Sequence, residues 1–213
     1  MEKEISQVVI RRLPRYFRYL EELKEAGVER ISSQELSRIM DVTASQIRQD
    51  FNNFGEFGQQ GYGYNIEYLY NEIAQILGVN TPHSMILIGA GNLGGAIAAF
   101  INTSRLPYRV LGAFDIDSSL FGKTVGSALI HPMEEMPQFI SDNHVDIAVL
   151  TVPRSAAVQI AQTLTACGIR AIWNFAHVDL PVPDGIPVEN VHLLDSLMKL
   201  TYNLEETKGE DHV

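Results

Sequence analysis

The feature that most constrains this chain is a glycine-rich turn directly after a short apolar run. Residues 85–88 are apolar, and the sequence Gly-Ala-Gly-Asn-Leu-Gly follows at positions 89–94. A strand that ends in the pattern G-x-G-x-x-G and opens a helix is the dinucleotide-binding fingerprint of a Rossmann unit. The residues before position 81 have a different pattern. We therefore expect a nucleotide-binding domain that is preceded by a domain of another kind.

Each glycine of this turn has a separate expected task. Gly89 permits the sharp turn out of the strand, Gly91 lets the backbone approach a pyrophosphate, and Gly94 lets the helix pack closely on the sheet. The amides at the start of the helix point at the phosphates, where the helix dipole favours negative charge. The expected cofactor-binding residues of the turn are Gly89, Ala90, Gly91, Asn92, Leu93 and Gly94.

An acidic residue after the next apolar run predicts which dinucleotide the site prefers. Asp115 follows residues 110–114 and lies 24 positions beyond Gly91. A carboxylate at this place accepts both ribose hydroxyls and repels a 2′-phosphate, which favours NADH and NAD⁺ over NADPH. Two alternatives stay open at this point: glycines that serve packing alone, and another nucleotide such as coenzyme A.

From Ser84 onward, strand patterns alternate with helix patterns, which predicts an α/β Rossmann domain with a mostly parallel sheet and helices on both faces. The carboxyl ends of such strands face the ligand crevice. We therefore expect Thr151 and Pro153 to line the nicotinamide side of the cofactor site. The expected strands are 84–88, 109–114, 145–152 and 169–173, and the expected helices are 92–103, 133–143 and 155–167.

The first part of the chain has the pattern of a helix-turn-helix. Apolar residues at spacings of three and four predict a helix over 6–26, which Pro14 bends or restarts. Capping boxes that begin at Ser32 and at Thr43 each open a short helix, and the second is expected to extend to about Phe54.

A stretch rich in glycine and aromatic residues follows over 55–64. It has little helix propensity and predicts a β-hairpin, or wing, which makes residues 1–64 a winged-helix domain. One more amphipathic helix is expected over 65–77, and Gly and Pro mark a linker at 78–82.

In a helix-turn-helix, the second helix lies in the major groove and its N-terminal residues contact base edges. Arginine suits guanine, and glutamine or asparagine suits adenine. The spacing of Ile47, Phe51 and Phe54 predicts that they face the core. A helical interaction domain that binds no DNA is the alternative. The expected DNA-binding residues, two of them from the wing, are Thr43, Ser45, Gln46, Arg48, Gln49, Asn52, Gln59 and Gln60.

The charge of the chain is unevenly distributed. The formal net charge is −10, of which residues 1–64 contribute −1 and the remainder −9. A basic face on the first part is therefore compatible with nucleic acid, because the local field depends on distribution as well as on the total. Cys167 is the single cysteine, and the charged N-terminus has no apolar signal core. We expect a cytoplasmic protein without disulfides, metal site or membrane contact.

Chemistry on a bound nicotinamide needs a proton donor or acceptor beside the substrate. His177 is the best-placed candidate, but no carboxylate is spaced to orient it, and the chain has no room for a substrate domain. The residues therefore favour sensing over turnover, and we predict no catalytic residue. A small NAD-dependent oxidoreductase and a coenzyme A-binding regulator are the rival hypotheses.

With both halves considered, the chain resembles the Rex family of redox-sensing transcriptional repressors over about residues 5–206. The resemblance extends well beyond a shared glycine motif. It is carried by S-S-x-E-L at 32–36, V-T-A-S-Q-I-R-x-D at 42–50, F-G-E-F-G at 54–58, G-x-G-Y at 61–64, the turn at 89–94, F-D at 114–115, L-T-V-P-R at 150–154 and N-F-A at 174–176.

This resemblance implies a homodimer that binds palindromic operator DNA and is released by NADH, while NAD⁺ leaves DNA binding intact. It implies a C-terminal helix, apolar over 191–206, that is swapped between subunits, and it places an interdomain switch residue at Arg18. Where this chain has Gln49, the family usually has lysine. Where it has Gln59 and Gln60, the family usually has a basic pair. The expected domains are a winged helix with linker (1–80), a Rossmann domain (81–190) and the swapped helix with its tail (191–213).

Overall fold

The computed structural model describes residues 5–52, 58–59 and 63–210. The chain divides into two compact units, Met1–Thr81 and Pro82–Val213. The first has the helix-rich architecture expected of a winged helix, and the second has the expected α/β architecture.

The helices of the first unit follow the predicted order. Pro14 lies in the first turn of the second helix, where its missing N–H breaks no helical hydrogen bond. The proline thus restarts the helix, and the predicted helix over 6–26 is two helices. The helices are α1 (Gln7–Ile10), α2 (Leu13–Glu25), α3 (Ser33–Met40), α4 (Ala44–Phe51) and α5 (Ile66–Leu77).

One of the two predicted capping boxes is complete. Glu35 N donates to Ser32 Oγ at 3.1 Å, and Ser32 N donates to Glu35 Oε2 at 2.8 Å. At the start of α4, Gln46 N donates to Thr43 Oγ1 at 3.1 Å, but the Gln46 side chain contacts Asp50 rather than the Thr43 backbone. The prediction of a second full capping box is therefore wrong, because the Asp50 carboxylate attracts the amide that would have closed it.

The predicted wing is present as an antiparallel pair of strands. Helix α4 ends at Phe51, before the expected Phe54, which lies outside the described residues. The sequence did not predict the strand formed by Arg30 and Ile31, because two residues are too few to show a periodic pattern. The sheet has the order β1-β3-β2, with β1 (Arg30–Ile31), β2 (Gly58–Gln59) and β3 (Gly63–Asn65).

The core of the first unit comes from the apolar faces of its helices. The rings of Tyr16 and Phe51 join α2 to α4 with centroids 5.0 Å apart, and Phe17 stacks on Tyr70 of α5 at 4.5 Å. Ile47 and Phe51 are buried as predicted. Other fully buried members of this core are Leu13, Leu20, Leu36, Met40, Ile66, Leu69 and Ile73.

The second unit is built on a seven-stranded sheet of order β10-β9-β8-β4-β5-β7-β6. All pairings are parallel except that of β6 with β7. This confirms the predicted mostly parallel sheet. The strands are β4 (His83–Ile88), β5 (Tyr108–Asp115), β6 (Thr124–Val125), β7 (Ala128–Pro132), β8 (Ile147–Leu150), β9 (Ala171–Asn174) and β10 (Val188–Asn190).

Helices cover both faces of this sheet, as predicted. Ile86 and Ile88 of β4 pack in one cluster with α7 and α8, whereas Met85 and Leu87 pack on the other face with α6. This alternation follows from the two-residue period of a strand. The helices are α6 (Asn92–Thr103), α7 (Met136–Asn143) and α8 (Arg154–Ala166), and a 3₁₀ turn (Met133–Glu135) precedes α7.

The last helix, α9 (Leu193–Glu210), exposes most of its apolar side chains in the single chain. No helix in the part of the chain that the structure describes is long and apolar enough to cross a membrane. The large apolar residues of α9 that are more than half exposed are Leu193, Leu194, Leu197, Met198, Leu200, Tyr202 and Leu204.

The ion pair between the buried Asp50 and the partly exposed Arg12 makes a stability prediction. Asp50 is 0 % exposed and accepts from Arg12 Nη2 at 2.6 Å and from Arg12 Nε at 2.7 Å. Arg12→Met leaves the buried charge of Asp50 without its cationic partner. The substitution should therefore lower the free energy of unfolding of this unit by about 3–5 kcal/mol. Hydrogen exchange of the α2 and α4 amides in the full-length protein measures the loss.

An exposed ion pair in the same unit provides the control. Lys24 Nζ lies 3.5 Å from Glu67 Oε1, and both side chains are exposed to solvent. Lys24→Met should cost less than about 1 kcal/mol, since exposed pairs contribute little. Equal losses in the two variants would contradict a special role for the buried pair.

Candidate functional site

Two glycines of the turn between β4 and α6 are required by contacts within the protein. Gly89 has a φ of +95°, and a Cβ there would lie 2.9 Å from the carbonyl oxygen of Thr151. A Cβ on Gly94 would run into the Gly89 carbonyl oxygen and would lie 2.9 Å from Thr151 Oγ1. Both positions thus exclude side chains for the reasons that the sequence predicted: a sharp turn and close packing of helix on sheet.

Gly91 differs from its neighbours, because nothing in the protein requires it to be glycine. Its φ is −69°, and a Cβ there would meet no atom within 4 Å. Gly91 is the N-cap of α6, and Asn92 and Leu93 form the first, solvent-exposed positions of that helix. The space at this helix N-terminus is open for a phosphate group, which the helix amides and dipole favour.

Asp115 links the end of β5 to the glycine turn. Its Oδ2 accepts from Ala90 N at 2.6 Å, and its Oδ1 accepts from Asp117 N at 2.9 Å. Each carboxylate oxygen keeps a second lone pair, so the group can still accept a ribose hydroxyl. The Ala90 contact was not predicted, since only the fold brings residues 25 positions apart together.

Thr151 supports the turn from behind. Its hydroxyl lies 2.7 Å from the Gly89 carbonyl oxygen and 3.0 Å from that of Ile88, and donates toward both. Pro153, also predicted at the cofactor site, is the exposed residue before α8. The turn already uses the hydroxyl proton of Thr151, so this side chain cannot donate it to a ligand. Pro153, by contrast, is exposed to contact.

A short loop after β9 carries His177, the candidate for proton transfer. Asn174, 1 % exposed, holds this loop by donating from Nδ2 to Val178 O at 2.8 Å and accepting from Ala176 N at 3.0 Å. His177 Nδ1 lies 3.3 Å from Nδ1 of His192, so its observed ring partner is a second imidazole and not a carboxylate.

An apolar cavity of about 380 Å³ lies at the other end of the sheet. Its walls include Tyr108 and Ile147, the first residues of β5 and β8, together with Met85 of β4 and Trp173 of β9. The glycine turn lies at the carboxyl end of β4, so this cavity is separate from the dinucleotide site. Among the described residues, no group of three or more His, Cys, Asp or Glu side chains could hold a metal ion.

Helix α4, the predicted recognition helix, presents a polar face to solvent. Thr43 caps the helix, and Arg48 Nη1 donates to Ser33 Oγ on α3 at 3.1 Å. Gln46 is half-buried because its side chain folds back on Asp50. The predicted DNA-binding residues on or next to α4 that are exposed are Thr43, Ser45, Arg48, Gln49 and Asn52.

The remaining predicted residues lie on the wing and on α2. Gln59 belongs to β2, and Gln60 lies outside the described residues. Arg18, the predicted switch residue, is exposed on α2 with its guanidinium 5.5 Å from the centre of the Tyr19 ring, and Arg15 lies over the same ring at 5.9 Å. These arginines give α2 an exposed basic stripe.

Two family models match the chain. Residues 4–52 match the family described as "Putative DNA-binding protein N-terminus", and residues 80–178 match the "CoA binding domain" family. The division between the two matches agrees with the two compact units of the structure.

The chain is also similar to whole proteins along nearly its full length. It is 52% identical over 202 residues to the redox-sensing transcriptional repressor Rex of Caldanaerobacter subterraneus subsp. tengcongensis, covering 95% of this chain and 90% of the relative. With Rex of Clostridium perfringens it shares 49% identity over 203 residues, or 95% of this chain and 96% of the relative.

Solved structures agree with these relatives. RSP, a Rex-family repressor, in complex with NAD⁺ and operator DNA is 50% identical with a TM-score of 0.90, covering 98% of this chain and 96% of RSP. The complex of RSP with NADH is 48% identical with a TM-score of 0.89, and covers 97% of each chain. From its sequence and its fold, the chain belongs to the Rex family of redox-sensing transcriptional repressors.

Proposed function

We propose that this protein is a DNA-binding repressor that senses the ratio of NADH to NAD⁺ and is released from its operator by NADH. The observation that carries the proposal is the union, in one chain, of a helix-turn-helix unit with a Rossmann unit whose Gly91 faces open space. Its similarity to RSP, solved both with NADH and with NAD⁺ plus operator DNA, supports the same two ligands here.

We propose a place for each part of the dinucleotide along this turn. The pyrophosphate lies over Gly91 and the first amides of α6, and Asp115 accepts the ribose hydroxyls of the adenosine half. Ala90, Asn92 and Leu93 complete the wall of this site, and Pro153 lies toward its nicotinamide half. Thr151 contributes by holding Gly89 in its turn.

Redox sensing requires two states of the protein with different affinities for the two ligands. NADH must bind more tightly to a state that does not fit the operator, since a ligand shifts an equilibrium only by its differential affinity. The family resemblance assigns Arg18 to the coupling between the domains, and we propose it as a switch residue.

The apolar surface of α9 supports a dimer. Seven large apolar side chains of this helix are more than half exposed in the single chain. A contiguous apolar surface of this kind in a water-soluble domain marks an interaction site. We propose that α9 packs against a second copy of the chain, so that two recognition helices face two half-sites of a palindromic operator.

Sensing without turnover agrees with the relatives, which are named transcriptional repressors. The contact of His177 with His192 supports the same interpretation, because an imidazole partner lacks the negative charge with which a carboxylate stabilises a protonated general base. We propose that the protein has no catalytic residue.

Coenzyme A is the second candidate ligand, because residues 80–178 match a family described by that cofactor. Asp115 favours NADH over coenzyme A, since the ribose of coenzyme A carries a 3′-phosphate that a carboxylate repels. Calorimetry with NADH, NAD⁺ and coenzyme A separates the candidates, and coenzyme A binding tighter than NADH would overturn the proposal.

The proposed function predicts that NADH weakens operator binding. The probe is a palindromic duplex selected by this protein from a randomised library in the presence of NAD⁺. Saturating NADH should lower its affinity by about tenfold or more, a coupling of about 1.4 kcal/mol or more. Fluorescence anisotropy at constant salt measures the change. If NADH and NAD⁺ leave the same affinity, the protein does not sense redox state through this site.

The charge of Asp115 predicts a preference among dinucleotides. Asp115→Asn keeps the shape of the side chain and removes its charge, so the repulsion of a 2′-phosphate disappears. We expect the ratio of NADH to NADPH affinity to fall by about tenfold or more, as measured by calorimetry. This ratio is the informative quantity, because loosening of the Ala90 contact weakens both dinucleotides together. An unchanged ratio would remove Asp115 from the ribose site.

Replacing the exposed Arg48 should reduce the sequence specificity of DNA binding. Arg48→Ala should cost about 1–3 kcal/mol on the selected operator, since an arginine can contact a guanine with two hydrogen bonds. The same variant should lose much less affinity for a non-cognate duplex of equal length. Equal losses on both duplexes would identify Arg48 as a phosphate contact instead of a base contact.

A further inference from the structure

The recognition helix contains a buried carboxylate that the reading of DNA does not explain. Asp50 faces inward from α4 and is 0 % exposed. Among the described residues, Asp50 is the one buried side chain that belongs to a charged residue type. A buried carboxylate is costly unless it is fully hydrogen-bonded, so its partners indicate what it is for.

Four hydrogen bonds from three side chains converge on Asp50. Arg12 donates from Nε to Oδ2 at 2.7 Å and from Nη2 to Oδ1 at 2.6 Å, which is a bidentate pair. The hydroxyl of Tyr16 donates to Oδ2 at 2.8 Å, and Nε2 of Gln46 donates to Oδ1 at 2.8 Å. Three of the four bonds therefore come from the α2 region, and the fourth comes from a predicted DNA-reading residue.

The protonation states of Asp50 and Tyr16 follow from their surroundings. Burial alone would raise the pKa of Asp50, but the hydrogen bonds from Arg12, Tyr16 and Gln46 outweigh it and hold that pKa below its ordinary value. Burial and the bond to Asp50 raise the pKa of Tyr16. At neutral pH, Asp50 is thus an ionised group that only accepts, and Tyr16 is a neutral donor.

An acceptor-only partner fixes the orientation of the Gln46 amide. The atom that faces Oδ1 must be Nε2, because an amide oxygen in its place would face a carboxylate oxygen without a hydrogen between them. Oε1 and the second hydrogen of Nε2 are then left for a ligand. One acceptor beside one donor is the set with which glutamine contacts N6 and N7 of adenine.

The position of Gln46 in the helix agrees with this role. Gln46 is the third residue of α4, within the N-terminal part of a recognition helix that approaches base edges in the major groove. A side chain that is already held also loses less rotamer freedom when it binds. The contact with Asp50 that prevented the second capping box therefore prepares Gln46 for reading.

We propose that Asp50, together with Arg12 and Tyr16, positions the Gln46 amide so that it reads an adenine of the operator. The three residues act through Gln46 and do not contact the DNA themselves. This inference rests on the proposed operator binding and adds a determinant of sequence specificity to it.

The experiment compares base preferences of variants over every operator position. The full-length protein and its variants each select from a randomised duplex library, and the selected pools are sequenced. Gln46→Ala should reduce the preference for adenine at one position of each half-site by about fivefold or more, the effect of losing a bidentate contact. The other positions should stay unchanged.

Asp50→Asn is the diagnostic variant. The amide of asparagine presents one acceptor and one donor in place of two acceptors, and Arg12 donates to both places. The Gln46 amide therefore no longer faces an acceptor-only partner that fixes its orientation. We expect the adenine preference at the Gln46 position to fall, and the double variant with Gln46→Ala to show no preference there.

Tyr16→Phe is a milder second variant, since it removes one hydrogen bond and keeps the ring that packs on Phe51. It should reduce the adenine preference at the same position without changing affinity for a non-cognate duplex. Unchanged non-cognate affinity shows that the domain is intact, so the inference stays testable if Asp50→Asn does not fold.

Two results would overturn the inference. One is a uniform loss of affinity for all duplexes in Asp50→Asn and Tyr16→Phe with the base preferences of the wild type, which would mean that Asp50 only holds α2 to α4. The other is an unchanged preference in Gln46→Ala. Failure of the wild-type protein to select any sequence would instead refute the proposed operator binding.

Discussion

The turn between β4 and α6 depends on two hydrogen bonds that hold it from opposite sides. Asp115 accepts from the Ala90 amide at 2.6 Å, and Thr151 donates to the Gly89 carbonyl at 2.7 Å. Gly94 packs against the same carbonyl at a distance that no side chain would permit. With its neighbours fixed in this way, Gly91 is held at the N-terminus of α6 beside open space. Contacts within the protein thus hold this turn, including Gly91, where we propose that the phosphates bind.

The DNA-reading unit has its own central interaction, the buried Asp50 of α4. This carboxylate joins the recognition helix to Arg12 and Tyr16 and at the same time holds the side chain of Gln46. Each compact unit therefore contains a carboxylate whose hydrogen bonds hold a surface proposed to bind a ligand, the half-buried Asp115 in one unit and the buried Asp50 in the other. In the proposed function, one surface takes NADH or NAD⁺ and the other takes the operator, and α9 joins two such chains into the dimer that a palindrome requires.

Long periodic segments were predictable from the sequence, whereas contacts between distant residues were not. The bounds of α6 agree with the predicted 92–103, and the tasks of Gly89 and Gly94 follow from the motif itself. The short strands β1, β6 and β10 have two or three residues each, which is too few to show alternation. The Gln46 side chain was assigned to a capping box because sequence spacing cannot weigh that bond against a carboxylate. The Asp50 carboxylate that attracts the Gln46 side chain is also bound by Arg12 and Tyr16, which lie 38 and 34 positions away from it in the sequence.

In the proposed function, one state of the protein binds the operator and another binds NADH, so the two affinities must be thermodynamically linked. Calorimetry measures the affinity of the full-length protein for NADH, first alone and then saturated with the selected operator duplex. We expect the operator to weaken NADH binding by the same factor by which NADH weakens operator binding, about tenfold or more. The operator should leave NAD⁺ binding unchanged or stronger. An NADH affinity that is the same with and without operator would refute this coupling between the two ligands.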